Sequence, residues 1–240
     1  MPVYKIAELP IRIIPVTPQT EQRLRPYWTD SETFEFDAST NPAEIEAFIA
    51  KSEKKCLPYL AEDALVLTKI SKAILNGYNG CFFHSSSLAL DGEGYLFTAL
   101  SGTGKSTHTK NWCTLFDNRI TMINDDKPLI RKMHDGYYVC STPWMGKSDI
   151  GCNMSAPIKA IYVFKRGEKN IAVPTTPAKQ IRQLMEATLL PENKENMVKL
   201  LSLFNDLFLH VKLIELYCTP DIDSARVAYE AAQKPQTNTD

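Results

Sequence analysis

The chain has 240 residues, 44% of them apolar and 23% charged, with a formal net charge of −1. This composition supplies one sizeable core or two small ones, and the near-neutral balance argues against nucleic acid or an anionic membrane surface as the main partner. No apolar run reaches the roughly 18 residues that span a bilayer, Met1-Pro2-Val3-Tyr4-Lys5 does not open a signal peptide, and Cys56, Cys81, Cys113, Cys140, Cys152 and Cys218 lack C-x-x-C pairing, so buried free thiols and a cytoplasmic location are expected.

In chain order, Val3, Ile6, Leu9, Ile11, Ile13, Ile14 and Val16 alternate loosely around Pro10 and Pro15, which predicts one or two edge strands. A short strand is expected at Thr33–Phe36. Asn41 before Pro42 reads as an N-cap with proline at the first helical position, opening a helix to about Lys54. Pro58 interrupts, and helical spacing resumes over Glu62–Leu75 until Asn76-Gly77 closes it. There is no internal repeat and no low-complexity linker. Residues 1–75 therefore read as a small α+β part, and residues 76–240 as the main core with C-terminal helices.

From Gly80 onward short apolar runs are separated by turns. Cys81–Leu90 is predicted as a strand, Asp91-Gly92-Glu93-Gly94 as a tight turn, and Tyr95–Ala99 as a second strand. A helix over Ser106–Leu115, a strand over Ile120–Ile123 and a hairpin of Leu129–Met133 with Gly136–Cys140 follow. Then come a strand at Ile158–Lys165, helices at Pro177–Leu189 and Glu192–His210, a strand at Val211–Cys218 and a last helix at Ile222–Ala232. The polar stretch Gln233–Asp240 is expected to fray. Hairpins interleaved with helices predict an α/β fold on a mixed sheet, not a strictly alternating parallel one.

The chemistry concentrates where Tyr95–Ala99 runs into Ser101-Gly102-Thr103-Gly104-Lys105-Ser106-Thr107. A strand, a Gly-rich turn and a helix headed by Lys and hydroxyls is the layout of a phosphate-binding loop. Glycines let backbone N–H groups converge on phosphate oxygens, Lys105 reaches the outer phosphates, and a hydroxyl holds Mg²⁺. The pattern G-x-x-x-x-G-K-[ST] is met except that Ala99 stands at its first glycine; the plainer alternative is a Gly-rich turn with a surface lysine. Asp125-Asp126, past the strand Ile120–Ile123, offers a metal ligand and a base, against the alternative of a solvated turn before Lys127-Pro128. His84 is either a satisfied core histidine or, if its strand pairs with the one feeding the loop, a group beside the phosphates.

His84, Gly94-Tyr95-Leu96-Phe97, Ser101 to Ser106 and Asp125-Asp126 together resemble the catalytic core of the HPr kinase/phosphorylase family. They also resemble the related core of ATP-dependent phosphoenolpyruvate carboxykinases, over about residues 78–170 most closely. The resemblance implies a mixed-sheet P-loop core of that type carrying ATP and Mg²⁺. It implies nucleotide contacts from Ser101, Gly102, Thr103, Gly104, Lys105, Ser106 and Thr107, metal ligation by Ser106 and Asp126, and Asp125 as the base with His84 beside it and Lys105 on the β-phosphate. The implied activity is γ-phosphate transfer to a hydroxyl, most naturally a serine of a peptide or protein. Self-association is implied by analogy.

Two departures stand against full identity: Thr107-His108 replaces an acidic residue common after the loop serine, and the glycine-rich segment that grips HPr is missing. In its place stand Ser141-Thr142-Pro143-Trp144-Met145-Gly146-Lys147 and Ala156–Tyr162, which resemble small stand-alone relatives acting on other acceptors. Trp144 reads equally as a core anchor or as part of the acceptor site, and Lys147 as a phosphate contact or a surface residue. A carboxykinase would need cations for a dicarboxylate; Arg12, Arg23, Arg25, Lys69 and Lys72 are available but sit in no motif. With Ala99 in the loop, a nucleotide-binding sensor without turnover is the rival from another class, and a purely structural protein the third.

Overall fold

Residues 1–100, 102–146 and 149–235 are described by a computed structural model of the chain. The expectations for Ser101, for Lys147 and for Gln236–Asp240 of the tail lie outside the described residues.

The N-terminal part contains β1 (Val3–Ile6), β2 (Leu9–Arg12), α1 (Pro18–Leu24), β3 (Trp28–Thr29), β4 (Phe36–Asp37), α2 (Pro42–Lys51) and α3 (Pro58–Gly77). Its strands form a small sheet in the order β3-β1-β2-β4. Helix α1 starts where the Thr17 side chain caps it and Pro18 pre-sets φ. The backbone N–H groups of Val16 and Thr17 donate to the Glu62 carboxylate, at 2.6 and 2.9 Å. Asn41 and Glu44 close a reciprocal capping box at the head of α2, and Lys69 of α3 pairs with Glu44 at 3.0 Å. Along α3, Val66, Ile70 and Ile74 form one buried stripe, with buried Glu62 and Asp63 one turn ahead of it.

The main core follows: β5 (Gly80–Phe82), β6 (Ser86–Leu90), β7 (Glu93–Thr98), α4 (Lys105–Phe116), β8 (Ile120–Asn124), β9 (Leu129–Met133) and β10 (Gly136–Cys140). It continues through β11 (Ser155–Arg166), β12 (Ile171–Pro174), α5 (Pro177–Glu186), α6 (Lys194–His210), β13 (Lys212–Cys218) and α7 (Asp223–Gln233). The mixed sheet runs β5-β9-β10-β11-β7-β6-β8, with β13 on β11 and β12 on β13. Strands β7 and β11 alternate their side chains between two cores. Tyr95, Phe97, Tyr162 and Phe164 face α4 and α7, while Leu96, Ile161 and Val163 face α5 and α6. A third cluster joins the N-terminal sheet and α3 to Phe82, Leu129, Cys140 and Trp144.

Strand direction decides where a site can lie. β6 is antiparallel to both β7 and β8, so those two run the same way, and β11 and β13 run parallel to β7. The chain thus leaves Thr98, Asn124, Arg166 and Cys218 at one edge of the sheet and enters β6 there through His84 and Ser85. Carboxyl ends of strands are where open α/β sheets hold ligands.

The expected single strand Cys81–Leu90 is two strands. At Phe83, His84 and Ser85 the backbone N–H groups donate to Pro128 O (3.0 Å), Ala187 O (2.5 Å) and Asp126 O (3.2 Å), so the β8–β9 connection and the end of α5 take over the ladder. The chain uses this break to pass from β9, the partner of β5, to β7 and β8, the partners of β6. Helix α1 and the short strands β3 and β12 were not expected from sequence: each is too short for a periodic signal. No helix among the described residues is long and apolar enough to cross a membrane.

Candidate active site

The segment from Ala99 to Thr107 leaves β7 and enters α4. Gly102 and Gly104 hold φ of +76° and +118°, a region L side chains rarely adopt. Ala99 is not among the positive-φ residues; its methyl is buried in the core behind the loop, so the missing first glycine costs no backbone strain. Carbonyls around the turn are tied to the protein. Thr103 donates to Leu100 O from its N–H (3.2 Å) and its hydroxyl (2.6 Å), and Arg166, at the end of β11, donates to Gly102 O (2.6 Å) and Thr103 O (3.2 Å). Helix α4 opens at Gly104 with no side-chain cap and no acidic residue in its first turn, which leaves its positive end for an anion. Lys105 Nζ donates back to Ala99 O at 3.2 Å; burial lowers its pKa, opposed by the charge of Asp126.

The two carboxylates past β8 sit in opposite environments. Asn124, fully buried, accepts the N–H groups of Asp126 and Lys127 on its Oδ1, both at 2.8 Å, and so bends the chain at the strand end. Its Nδ2 donates to Thr142 O at 3.0 Å, tying that bend to the segment after β10. Asp126 pairs with His84 Nε2 at 3.1 Å and with Lys127. The hydrogen bond from His84 first, and Lys127 next, hold its carboxyl well below the usual carboxylate range despite burial. Asp125 is pushed up, chiefly by burial, while the Gly146 N–H donating to its Oδ1 at 2.7 Å works the other way. The resemblance set His84 beside Asp125; here its partner is Asp126. The Thr98 hydroxyl donates to His84 O at 3.1 Å, linking this pair to the strand that feeds the loop.

Beyond the loop, a cavity of about 390 Å³ opens between Thr103, Thr107, Asn111, Arg166, Gly167 and Thr219. Its wall is held by α4 and the turn into α7. The Trp112 indole N–H donates to His108 Nε2 at 2.9 Å, so His108 carries its proton on Nδ1 and donates to Ser224 Oγ at 3.1 Å. Asn111 Nδ2 donates to Asp221 O at 2.7 Å.

Sequence reading did not single out Asn124, Gly146 or Arg166 as site residues. An Asx residue heading a turn was the available signal for Asn124. For Gly146 and Arg166 there was none, because both act through segments brought close only by the sheet.

The fold and site together define a mixed α/β protein in which a strand–glycine loop–helix unit faces a His–Asp pair. No family model matches the chain, and no curated protein matches it. Among solved structures it is similar to the Hpr(Ser) kinase/phosphatase from Coxiella burnetii, at a TM-score of 0.37 and 13% identity over 62% of this chain and 89% of that one.

Proposed function

We propose that the chain is an ATP–Mg²⁺-dependent phosphotransferase that moves the γ-phosphate to a hydroxyl, a serine of a peptide or protein being the favoured acceptor. The observation that carries this reading is the pair of adjacent carboxylates in unlike settings, Asp126 against His84 and Lys127 and Asp125 under the Gly146 N–H, at the same sheet edge as the glycine loop, which drives their pKa values in opposite directions. Neighbouring groups whose environments drive their pKa values apart divide acid–base and charge-holding roles between them.

In this reading the loop from Ser101 to Thr107 takes the phosphates, with Lys105 leaving Ala99 O to meet the β-phosphate. Asp125 accepts the proton of the acceptor hydroxyl as the oxygen attacks phosphorus and the bond to the leaving ADP breaks. Asp126, kept charged by His84 and Lys127, serves with the Ser106 hydroxyl as metal ligand. One carboxylate and one hydroxyl are hard oxygen donors, and Mg²⁺ is commonly held by such a pair together with substrate phosphates. Bound there, the ion would supply charge neutralisation on the phosphoryl oxygens. The cavity beside Thr107 and Thr219 suits the nucleoside end. Decarboxylation is disfavoured because Arg12, Arg23 and Lys69 are engaged with Asp37, Asp63 and Glu44 of the N-terminal part.

The test is release or transfer of the γ-phosphate from ATP with Mg²⁺ across a panel of hydroxyl acceptors. Lys105→Ala should weaken ATP binding, and Asp125→Asn should keep binding but lower turnover on the order of 10²-fold or more. Tight ATP binding without turnover in the unaltered protein would instead identify the sensor.

A further inference from the structure

The N-terminal part contacts the segment that leads to the candidate active site at two points, Ser141 and Trp144. Trp144 is buried, its ring packs edge-on against Phe82 with centroids 6.1 Å apart, and its indole N–H donates to Asp63 Oδ1 at 3.1 Å. Asp63 lies on α3 and is paired in turn with Arg23 of α1. Trp144 also belongs to the segment from Ser141 to Gly146, which ends at the Gly146 N–H on Asp125. That segment is pinned at its start by Tyr27 of the N-terminal part, whose hydroxyl lies 2.6 Å from Ser141 Oγ. In its middle the Thr142 hydroxyl donates to Lys127 O at 2.6 Å and Asn124 donates to Thr142 O. At its end the approach is close: a Cβ at Gly146 would stand 2.9 Å from Asp125 Oδ2 and displace that carboxylate.

We propose that Trp144 is a positioning residue for Asp125: anchored on Asp63 and Arg23, it sets the strap from Ser141 to Gly146 whose last N–H holds the Asp125 carboxylate. The N-terminal part is then the fixed support of the acid–base group. The consequence for turnover rests on the phosphotransferase reading, whereas the strap itself does not.

The experiment reads both. Amide hydrogen exchange of Gly146 is followed in the full-length protein, Trp144→Phe and Asp63→Asn, alongside ATP affinity and γ-phosphate release. Phe keeps the ring and loses the donor, so Gly146 should exchange at least about tenfold faster, that being the loss of one modest hydrogen bond. Turnover should fall while ATP affinity stays at the unaltered value. Asn keeps an oxygen for the indole and should retain most of the Gly146 protection. Asp63→Leu removes the same contact from its other partner and should reproduce the Trp144→Phe result. Unchanged Gly146 exchange in both Trp144→Phe and Asp63→Leu, or equal loss in Asp63→Asn, overturns the assignment. Absence of turnover in the unaltered protein overturns the phosphotransferase reading and leaves the exchange result to judge the strap.

Discussion

Asp125 and Asp126 are neighbours in the chain, yet they are chemically unlike, and the difference comes from single contacts. His84 and Lys127 surround one carboxylate, while the other, equally half-buried, has no cation on it and accepts the Gly146 N–H. Gly146 supplies that N–H so closely that an added Cβ would stand 2.9 Å from Asp125 Oδ2 and the carboxylate would have to shift. Gly146→Ala should therefore displace the Asp125 carboxylate and lower turnover on the order of 10²-fold, with ATP affinity retained, as measured by steady-state kinetics and calorimetry. At this scale the residue types were legible. Lys105, His84, Asp125 and Asp126 stand out because each carries chemistry beside a strand end or a glycine turn. Which of the two aspartates meets His84 was not legible, because it depends on how the break at Phe83–Ser85 turns the chain.

Between elements, the seam of α4 and α7 is built on a histidine that burial keeps neutral at ordinary pH. Burial among Phe97, Trp112 and Phe164 lowers the His108 pKa to about 3, against about 6.5 for an unfolded chain. Between those values the unfolded state binds the extra proton, so stability is fully present above pH ~6.5 and falls on acidification toward pH ~3. Replacing His108 by Gln removes this contribution; the melting temperature of the variant should decline less steeply than that of the unaltered protein from pH ~6.5 to ~4. Elements with strong local signals were readable beforehand. Asp91-Gly92 turns between β6 and β7 with φ of 51° and 85°, and Asn41-Pro42 opens α2. The Ala7-Glu8 turn takes a similar left-handed path, with φ of 51° and 62°, without the residues that announce it. Helix α1 is likewise held by a carboxylate from α3, 45 residues away at Thr17, which local pattern does not reveal.

For the whole molecule, the candidate site is one edge of the sheet, assembled from the exits of β7, β8, β11 and β13. A ligand that bridges these exits binds the folded state alone and stabilises it by mass action. ATP with Mg²⁺ at about a hundred times its dissociation constant should contribute about 2.7 kcal/mol, or roughly 5–10 °C in melting temperature for a chain of this size. Lys105→Ala should lose most of that shift, and an equal shift in both proteins would place the nucleotide elsewhere. What the amino-acid order determined by itself was local: a strand, a glycine turn and a lysine-headed helix in sequence, two carboxylates after an apolar run, and a mixture of hairpins and helices that requires a mixed sheet. These follow from backbone sterics and short-range hydrogen bonding, which act over a few residues. The tertiary structure alone decided that Ala99 is free of strain, that Arg166 ties the loop's carbonyls, that His84 holds Asp126, and that Trp144 bonds Asp63 of the N-terminal part. Those contacts span tens of residues of chain, and no local preference encodes them; the ones at the site exist because β6 runs against both β7 and β8 and so gathers their ends at one edge.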